Sequence, residues 1–131
     1  MGRKVVQRDG ASLAELGKII DGTVAAAKQL GGEAADLGAR LDTVWRRLVT
    51  VTAAMFGSGD AEAALANSAV YLEAAGHLVI AWMWLEQFLA VDGRSGDFYD
   101  GKRQAARYFF RYELPRTAPQ LDLLESLDRT A

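Results

Sequence analysis

The sequence predicts an all-α fold, and more narrowly an up-down antiparallel four-helix bundle with a Pro-kinked last helix. Apolar residues recur at spacings of three and four along most of the 131 residues. Glycine-containing breaks at 31–32, 57–59 and 92–96 divide the chain into four helical segments. Because these breaks are short, helices adjacent in sequence are expected to lie antiparallel within one domain spanning residues 1–131.

Composition excludes several classes of function. The net charge of −2 gives no general attraction to nucleic acid or to anionic lipid. The chain has no cysteine, so disulfides and thiolate metal sites are excluded. Its basic N-terminus lacks the apolar core of a signal peptide, and we expect a cytoplasmic protein.

The first helix is expected to follow an extended N-terminal segment over residues 1–11. Gly10 breaks that segment, and Ser12 with Glu15 three residues later forms a capping box. The helix then runs to about Leu30, where Gly31-Gly32 ends it. Six apolar residues share one face of this predicted helix: Leu13, Leu16, Ile20, Val24, Ala27 and Leu30.

The second helix begins near Glu33 and has the clearest amphipathic pattern. The β-branched stretch 49–52 lowers helix propensity and could form a strand, but the surrounding pattern favours a helix. Its predicted stripe comprises Leu37, Leu41, Val44, Leu48, Val51 and Met55, with Trp45 and Thr52 beside it.

The third helix is predicted from Ala61 to about Val91, with Asp60 as its N-cap, which gives a length of roughly 45 Å. Its second half is apolar on all sides, as in a helix that is buried, lies in a membrane or meets a partner. The unbroken apolar run, residues 78–85, is far shorter than the ~20 residues that a membrane span needs. The sequence therefore predicts no membrane span.

The fourth helix is predicted to begin with Asp97 as its cap. Pro115 is expected to kink or break it, because proline donates no backbone hydrogen bond and clashes with the preceding turn. Residues 120–127 carry Leu121, Leu124 and Leu127 for a last amphipathic segment. Before Pro115, the residues at helical spacing are Phe98, Lys102, Ala105, Phe109 and Tyr112, with Ala106 and Tyr108 alongside.

The third helix also carries a candidate interface. Trp82 and Trp84 lie about 200° apart around a helix, so both cannot face one core. One of them is expected to be exposed, or covered by a neighbouring chain. The candidate interface residues are Ile80, Trp82, Trp84 and Leu85.

A basic stripe on the fourth helix is a candidate anion patch, formed by Arg103, Arg107 and Arg111. A solvated helix face is the simpler interpretation of the same spacing. Tyr99, Tyr108 and Tyr112 would suit base stacking, but aromatic residues at helical spacing are more typical of a core. With the acidic net charge, the sequence predicts no nucleic-acid partner.

Catalytic and metal-binding patterns are missing from the sequence. A dinuclear metal site in a bundle needs Glu-x-x-His pairs on two helices, whereas this chain has the single His77, with Glu73 four residues before it. No serine lies in a nucleophile-elbow motif, and the glycines form no phosphate loop. We predict no catalytic, cofactor-binding or metal-binding residue, and His77 as a bundle or interface residue paired with Glu73.

Three stretches resemble the C-terminal helical extension of the large bacterial acyl-CoA dehydrogenases. The first resembles the junction that opens this extension, the second its central helix and the third its last long helix. They are Gly2-Arg3-Lys4 with Asp9-Gly10; residues 66–72 with Gly76 and Trp82; and residues 98–102, 105–109 and 114–116.

The resemblance implies the module of a flavoenzyme. The parent core would bind FAD, remove the α-proton of an acyl-CoA with a glutamate and pass the β-hydride to flavin, which gives a 2,3-enoyl-CoA. No residue here corresponds to that glutamate or to a flavin contact, and the early junction motif favours an excised fragment over a stand-alone module. We expect a non-catalytic module that packs on the parent core or on a second copy of itself in a homo-oligomer. The alternative is a stand-alone helical module that binds a protein or an acyl or CoA-type ligand.

Overall fold

The computed structural model describes the backbone of residues 2–57, 62 and 67–130, and the side chains of residues 14–55, 62 and 67–126. Within these ranges the chain is helical, apart from short turns, and has no strand. A four-helix bundle fits this succession, with the last stretch as the fourth member. The elements are α1 Gly2–Leu30, α2 Gly32–Gly57, α3 Ser68–Ala90, α4 Asp97–Tyr108, a π-helical turn Phe109–Glu113, a 3-10 turn Leu114–Arg116 and α5 Thr117–Thr130.

Helix α1 begins at Gly2, ten residues before the predicted start. The prediction of an extended segment over residues 1–11 is therefore wrong for residues 2–11, and Ser12 lies inside the helix rather than at its cap. One internal glycine costs a helix only about 1 kcal/mol, so Gly10 does not suffice to end it. The predicted stop at the other end is confirmed, because Gly31 has a φ of 78° and α2 starts directly after it.

Close backbone approach joins α1 to α2. A Cβ added to Gly38 of α2 would lie 2.9 Å from the Cβ of Ala27 on α1, which is too close for two carbon atoms. A Cβ added to Gly17 of α1 would lie 3.1 Å from the Trp45 ring of α2. Both glycines therefore fit positions where the opposing helix leaves no room for a side chain.

The amphipathic pattern of α2 is confirmed in detail, including its helical β-branched stretch. Val44 and Met55 are half-buried at the edge of its stripe. The first helix follows its pattern less closely, because Leu30 is exposed and Thr23, outside the predicted face, is buried. The buried members of the α2 stripe are Leu37, Leu41, Trp45, Leu48, Val51 and Thr52.

Helix α3 occupies the centre of the described fold, with contacts to α1, α2, α4 and α5. Its predicted cap at Asp60 and the residues before 67, other than 62, lie outside the described residues. The Thr52 hydroxyl of α2 and the Tyr71 hydroxyl of α3 form a hydrogen bond of 2.7 Å. Among the described residues, α3 alone is long and apolar enough to cross a membrane, and 22% of its apolar window is buried in the fold.

Helix α4 presents a different face to the core from the predicted one. Its buried residues in this stretch are Ala106 and, in the π turn, Phe110. Phe98, Tyr108 and Tyr112 from the predicted apolar stripe and its flank are exposed. Gly96, with a φ of 126°, is the N-cap, so Asp97 is the first helical residue and not the cap.

The helical hydrogen-bond pattern changes where the sequence contains Pro115. A π turn and then a 3-10 turn replace regular α-helix from Phe109 to Arg116, and the Thr117 hydroxyl donates to the Leu114 carbonyl at 2.7 Å. The kink itself stays a prediction. Leu121 and Leu124 of α5 are buried as predicted, and the side chain of Leu127 lies outside the described residues.

An ion pair ties α5 to α2. Arg47 donates to Asp122 at 2.6 Å and to Glu125 at 3.2 Å. The hydrogen bond that Arg47 donates to Glu125, more than the one to Asp122, raises the pKa of the guanidinium above its ordinary value. The charged face of α2 therefore carries a contact between helices.

Candidate interaction surface on helix α3

Helix α3 is apolar on two opposite faces. One face enters the core through Ala74, Leu78, Ala81, Leu85 and Phe88. The other is open to solvent, with exposed fractions of 65% at Leu72, 45% at Ile80 and 54% at Met83. Single exposed apolar residues are normal on a protein surface, but three on one helix face form a patch of the kind that contacts other molecules.

The predicted interface residues divide between these two faces. Ile80 is exposed as expected, whereas Leu85 is fully buried in the core, so its assignment to an interface is wrong. Trp82 and Trp84 are both half-buried and pack against the core cluster. Neither tryptophan is fully exposed, because the neighbouring helices cover part of each ring, and cover of the remainder by a neighbouring chain stays a prediction.

Trp82 is held within the chain by a polar network. Its Nε1 donates to the Thr23 hydroxyl of α1 at 2.8 Å. The Thr23 hydroxyl lies 2.5 Å from a carboxylate oxygen of Glu86 and 3.1 Å from the Ile19 carbonyl. A buried hydroxyl and an indole N–H so partnered cost little to bury. This network orients α3 against α1.

A groove of about 500 Å³ follows this junction between α1 and α3. Small side chains leave it shallow, and its lining includes Lys18, Ile19, Gly22, Glu86 and Leu89. Cofactor sites in proteins enclose most of their ligand. This open groove does not fit a flavin, since it offers one carboxylate and one ammonium at its rim and no enclosing walls.

Arg103 of the predicted anion patch is bound within the chain. Its guanidinium donates to the Val91 carbonyl at 2.6 Å, to the Arg94 carbonyl and to the Asp100 carboxylate at 2.8 Å. It thereby binds the carbonyl of Val91, the C-cap of α3, which also accepts from the Arg94 N–H, and the Arg94 carbonyl in the turn that follows. The role of Arg103 is to hold the corner between α3 and α4.

Arg107 and Arg111 also have partners within the chain. Arg107 donates to both carboxylate oxygens of Glu33 on α2, at 2.7 and 2.8 Å. This hydrogen bond lowers the pKa of Glu33 and raises that of Arg107. Arg111 is exposed, with its guanidinium 5.5 Å from the centre of the Tyr112 ring. The three arginines do not converge, and the predicted anion patch is wrong as a single site.

Among the described residues, His77 contacts Glu73, Glu113 and Phe109. Its Nδ1 lies 3.0 Å from the Glu73 backbone carbonyl, and its Nε2 lies 3.7 Å from the Glu113 carboxylate on the π turn. His77 therefore pairs with Glu73 through the backbone carbonyl rather than the carboxylate, and the Glu113 carboxylate lies near the other ring nitrogen. Within the part of the chain that the structure describes, no group of three His, Cys, Asp or Glu side chains could hold a metal ion.

Helix α4 exposes aromatic side chains, and Lys102 connects this helix to the exposed face of α3. Lys102 of α4 donates to the Gln87 side-chain carbonyl of α3 at 2.7 Å, and its Nζ lies 5.1 Å from the centre of the Phe98 ring. Tyr108 and Tyr112, both exposed, have ring centres 5.0 Å apart. Sequence spacing gave no signal for this surface, because an exposed aromatic stripe has the same period as a buried one.

Comparison with known proteins assigns the family. A family model described as "Acetyl-CoA dehydrogenase C-terminal like" matches residues 13–131. The chain belongs to this family. The resemblance to the C-terminal domain of acyl-CoA dehydrogenases is thus confirmed, although the motif at residues 2–10 lies before the matched region. Comparisons with curated proteins and with solved structures gave no match.

Proposed function

We propose that the chain is a non-catalytic C-terminal helical module of an FAD-dependent acyl-CoA dehydrogenase, whose parent reaction is α,β-dehydrogenation of an acyl-CoA to a 2,3-enoyl-CoA. The observation that carries this proposal is the family match over residues 13–131. The chemistry of the described surface agrees with a contact role: α3 exposes Leu72, Ile80 and Met83 rather than a polar site. The module contacts the parent core or another subunit in a cytoplasmic homo-oligomer.

The proposed arrangement is an up-down antiparallel four-helix bundle whose last helix is kinked at Pro115. Contacts between α1 and α2 support the order, because Gly17 meets Trp45 while Ala27 meets Gly38. In the same way, Gln87 of α3 meets Lys102, and His77, ten residues earlier, meets Glu113, eleven residues after Lys102. In both pairs the residue numbers run in opposite directions along the two helices.

FAD belongs to the parent core in this proposal. The described groove beside Thr23 does not enclose a ligand, and its Glu86 carboxylate is already 2.5 Å from the Thr23 hydroxyl. No residue of this chain is therefore assigned to flavin, to the acyl-CoA or to proton transfer. The module supplies surface, and the core supplies the chemistry.

Absorbance and activity of the purified chain test the absence of catalysis. We expect no flavin absorbance and no oxidation of acyl-CoA substrates when an artificial electron acceptor is supplied. A stoichiometric yellow flavin together with turnover would overturn the proposal. The reading frame immediately upstream gives an independent test, because it should continue into a dehydrogenase core that carries the glutamate base.

The alternative of a stand-alone acyl or CoA binder loses its anchoring residues. It depended on Arg103 and Arg107 for an anionic head group, and both guanidinium groups are bonded within the chain. Calorimetry with CoA and fatty acids is expected to show no saturable binding. Saturable binding that Arg111→Ala abolishes would favour the alternative.

A further inference from the structure

The exposed face of α3 carries seven positions at the spacing by which two helices pair. Apolar residues that alternate at intervals of three and four form the seam of a helix–helix contact. Every position of this series in α3 is exposed, and only Gln87 is polar. We call the series the α3 seam; it comprises Ala69, Leu72, Gly76, Ile80, Met83, Gln87 and Ala90.

The α3 seam is symmetric about the midpoint between Val79 and Ile80. Positions 69, 72 and 76 lie as far before that midpoint as positions 90, 87 and 83 lie after it. When a second α3 lies antiparallel over the midpoint, six of the seven seam positions therefore coincide in pairs, and Ile80 faces Val79 of the other copy. A foreign helix would need a matching series of its own, whereas a second copy has it by construction.

Side-chain sizes along the seam are complementary under the same operation. Met83 of one copy faces Gly76 of the other, and a Cβ built on Gly76 meets no side chain and no neighbouring helix within 4 Å. The methionine side chain therefore has an empty site to fill. Ala69 faces Ala90, so the helices can approach closely at both ends, and Ile80 faces Val79 near the two-fold axis.

Charges on the edge of the seam also match. A two-fold axis through the midpoint keeps the α4 side of one copy against the α4 side of the other. Exposed Glu73 lies on that side, one turn before His77, which contacts the π turn. Glu73 then comes beside Gln87 of the second copy, to which that copy's Lys102 is hydrogen-bonded. The carboxylate thus meets an ammonium group.

The exposed area is of the size that a subunit contact needs. Leu72, Ile80 and Met83 on α3 and Phe98, Tyr108 and Tyr112 on α4 and the π turn after it are all between 45% and 69% exposed. At roughly 100 Å² each they present about 600 Å². With the small residues between them, this approaches the ~800 Å² that each partner contributes to a stable interface. Aromatic residues and methionine are typical of interface cores.

We propose that α3 pairs with the α3 of a second copy of this chain, as an antiparallel two-fold dimer centred between Val79 and Ile80. Two-fold dimers are the commonest protein oligomers, and their interfaces use the same patch on both subunits. This proposal rests on the contact role proposed above and names the partner and the surface for it.

Oligomeric state tests the surface. Sedimentation equilibrium of the wild-type chain should show a dimer, and Ile80→Glu should give a monomer that keeps its helical circular dichroism. Gly76→Leu should also give a monomer, since the leucine fills the site of Met83, while the melting temperature of that monomer rises because a glycine leaves the helix. Leu123→Glu, at a 48% exposed leucine of α5, is the matched control and should remain dimeric.

Cross-linking tests the register. The chain has no cysteine, so introduced thiols are unique. A short bis-maleimide should link Gly76→Cys chains to Met83→Cys chains in a mixture, but should not link two Met83→Cys chains. Two copies of position 83 lie about 10 Å apart along the axis in addition to the helix separation. Glu73→Lys should weaken the dimer, and Lys102→Glu in the same chain should restore it.

Three results would overturn the inference. The first is a wild-type chain that stays monomeric across the micromolar range, and the second is a dimer that Ile80→Glu leaves intact. The third is a monomer that sediments with phosphatidylglycerol vesicles through Ile80 and Met83, which would assign the seam to a lipid surface. None of these results contradicts the proposed role as a module of a dehydrogenase. That role is tested separately by the flavin content and by the upstream reading frame.

Discussion

The α1–α2 contact and the α3–α4 contact differ in their chemistry. Between α1 and α2 the contact is apolar and close, with Gly38 against the Ala27 side chain. Between α3 and α4 the bridges are polar, as in the Lys102–Gln87 hydrogen bond, while apolar side chains of both helices point to solvent.

The two pairs also differ in how their apolar surface is covered. Helices α1 and α2 each bury an apolar stripe, and their exposed apolar residues, Ile19, Leu30 and Val49, are spread over the two helices. Helix α3 has a core face of its own and a second apolar face that the described part of the chain leaves uncovered. Such surplus is typical of a surface that is completed by another molecule.

The two faces of α3 are expected to give the largest contrast in stability. Leu85→Ala removes a fully buried side chain and should lower the free energy of unfolding by ~2–5 kcal/mol. Met83→Ala, two residues away on the exposed face, should change it by less than ~0.5 kcal/mol in the monomer. Urea denaturation monitored by circular dichroism measures both. Equal losses would show that the two faces are not distinct.

The corner between α3 and α4 should depend on a single arginine. Arg103→Ala removes the guanidinium donor of the Val91 and Arg94 carbonyls, of which Val91 keeps the Arg94 N–H, and should cost about 1.5–3 kcal/mol. Arg111→Ala removes only an exposed contact with Tyr112 and is the control, with a change of at most ~1 kcal/mol. Thermal unfolding of both variants provides the measurement. If Arg103→Ala were as stable as wild type, its role at the corner would be refuted.

Two glycine substitutions compare a position that is crowded by the opposing helix with a position that is open. Gly38→Ala forces a Cβ against Ala27 and should destabilise by ~1–3 kcal/mol, which outweighs its gain in helix propensity. Gly76→Ala meets empty space and should stabilise the monomer by up to ~1 kcal/mol. Chemical denaturation is the test. If both substitutions raised the free energy of unfolding, or both lowered it, the difference between the two positions would be refuted.

The smallest expected effect concerns the ion pair that connects α4 to α2. The Arg107 guanidinium lowers the pKa of Glu33, so the pair stabilises the fold above the ordinary titration range of glutamate. That contribution is lost as the pH falls through the lowered pKa of Glu33. Both side chains are nearly half exposed, so it amounts to less than ~1 kcal/mol.

Unfolding free energies measured from neutral pH down to pH 3 check this point. Glu33→Gln should be slightly less stable than wild type at neutral pH, and the gap should close on acidification. Glu15→Gln, at an exposed glutamate of α1, is the control. A stability gap that widens toward low pH would contradict the lowered pKa of Glu33.

The one-sided helices could be predicted from sequence because a single partner decides their pattern. In α2 the spacing of Leu41, Leu48 and Val51 predicted correctly that these side chains are buried. Helix α3 is apolar all round, so its sequence could not tell Leu85 in the core from Met83 in solvent. Phe98 and Tyr112 were misplaced for the same reason, because period alone does not say which side faces the core.

The sequence by itself determined the all-α class, the break at Gly31-Gly32 and the family, since these depend on local periodicity, backbone freedom and residue order. Tertiary structure alone decided what the polar side chains do. Arg103, Arg107 and Arg111 form one stripe on a helix, yet the first caps α3, the second binds Glu33 and the third faces solvent. The partner of a long charged side chain depends on where neighbouring helices end, and no local pattern encodes that position.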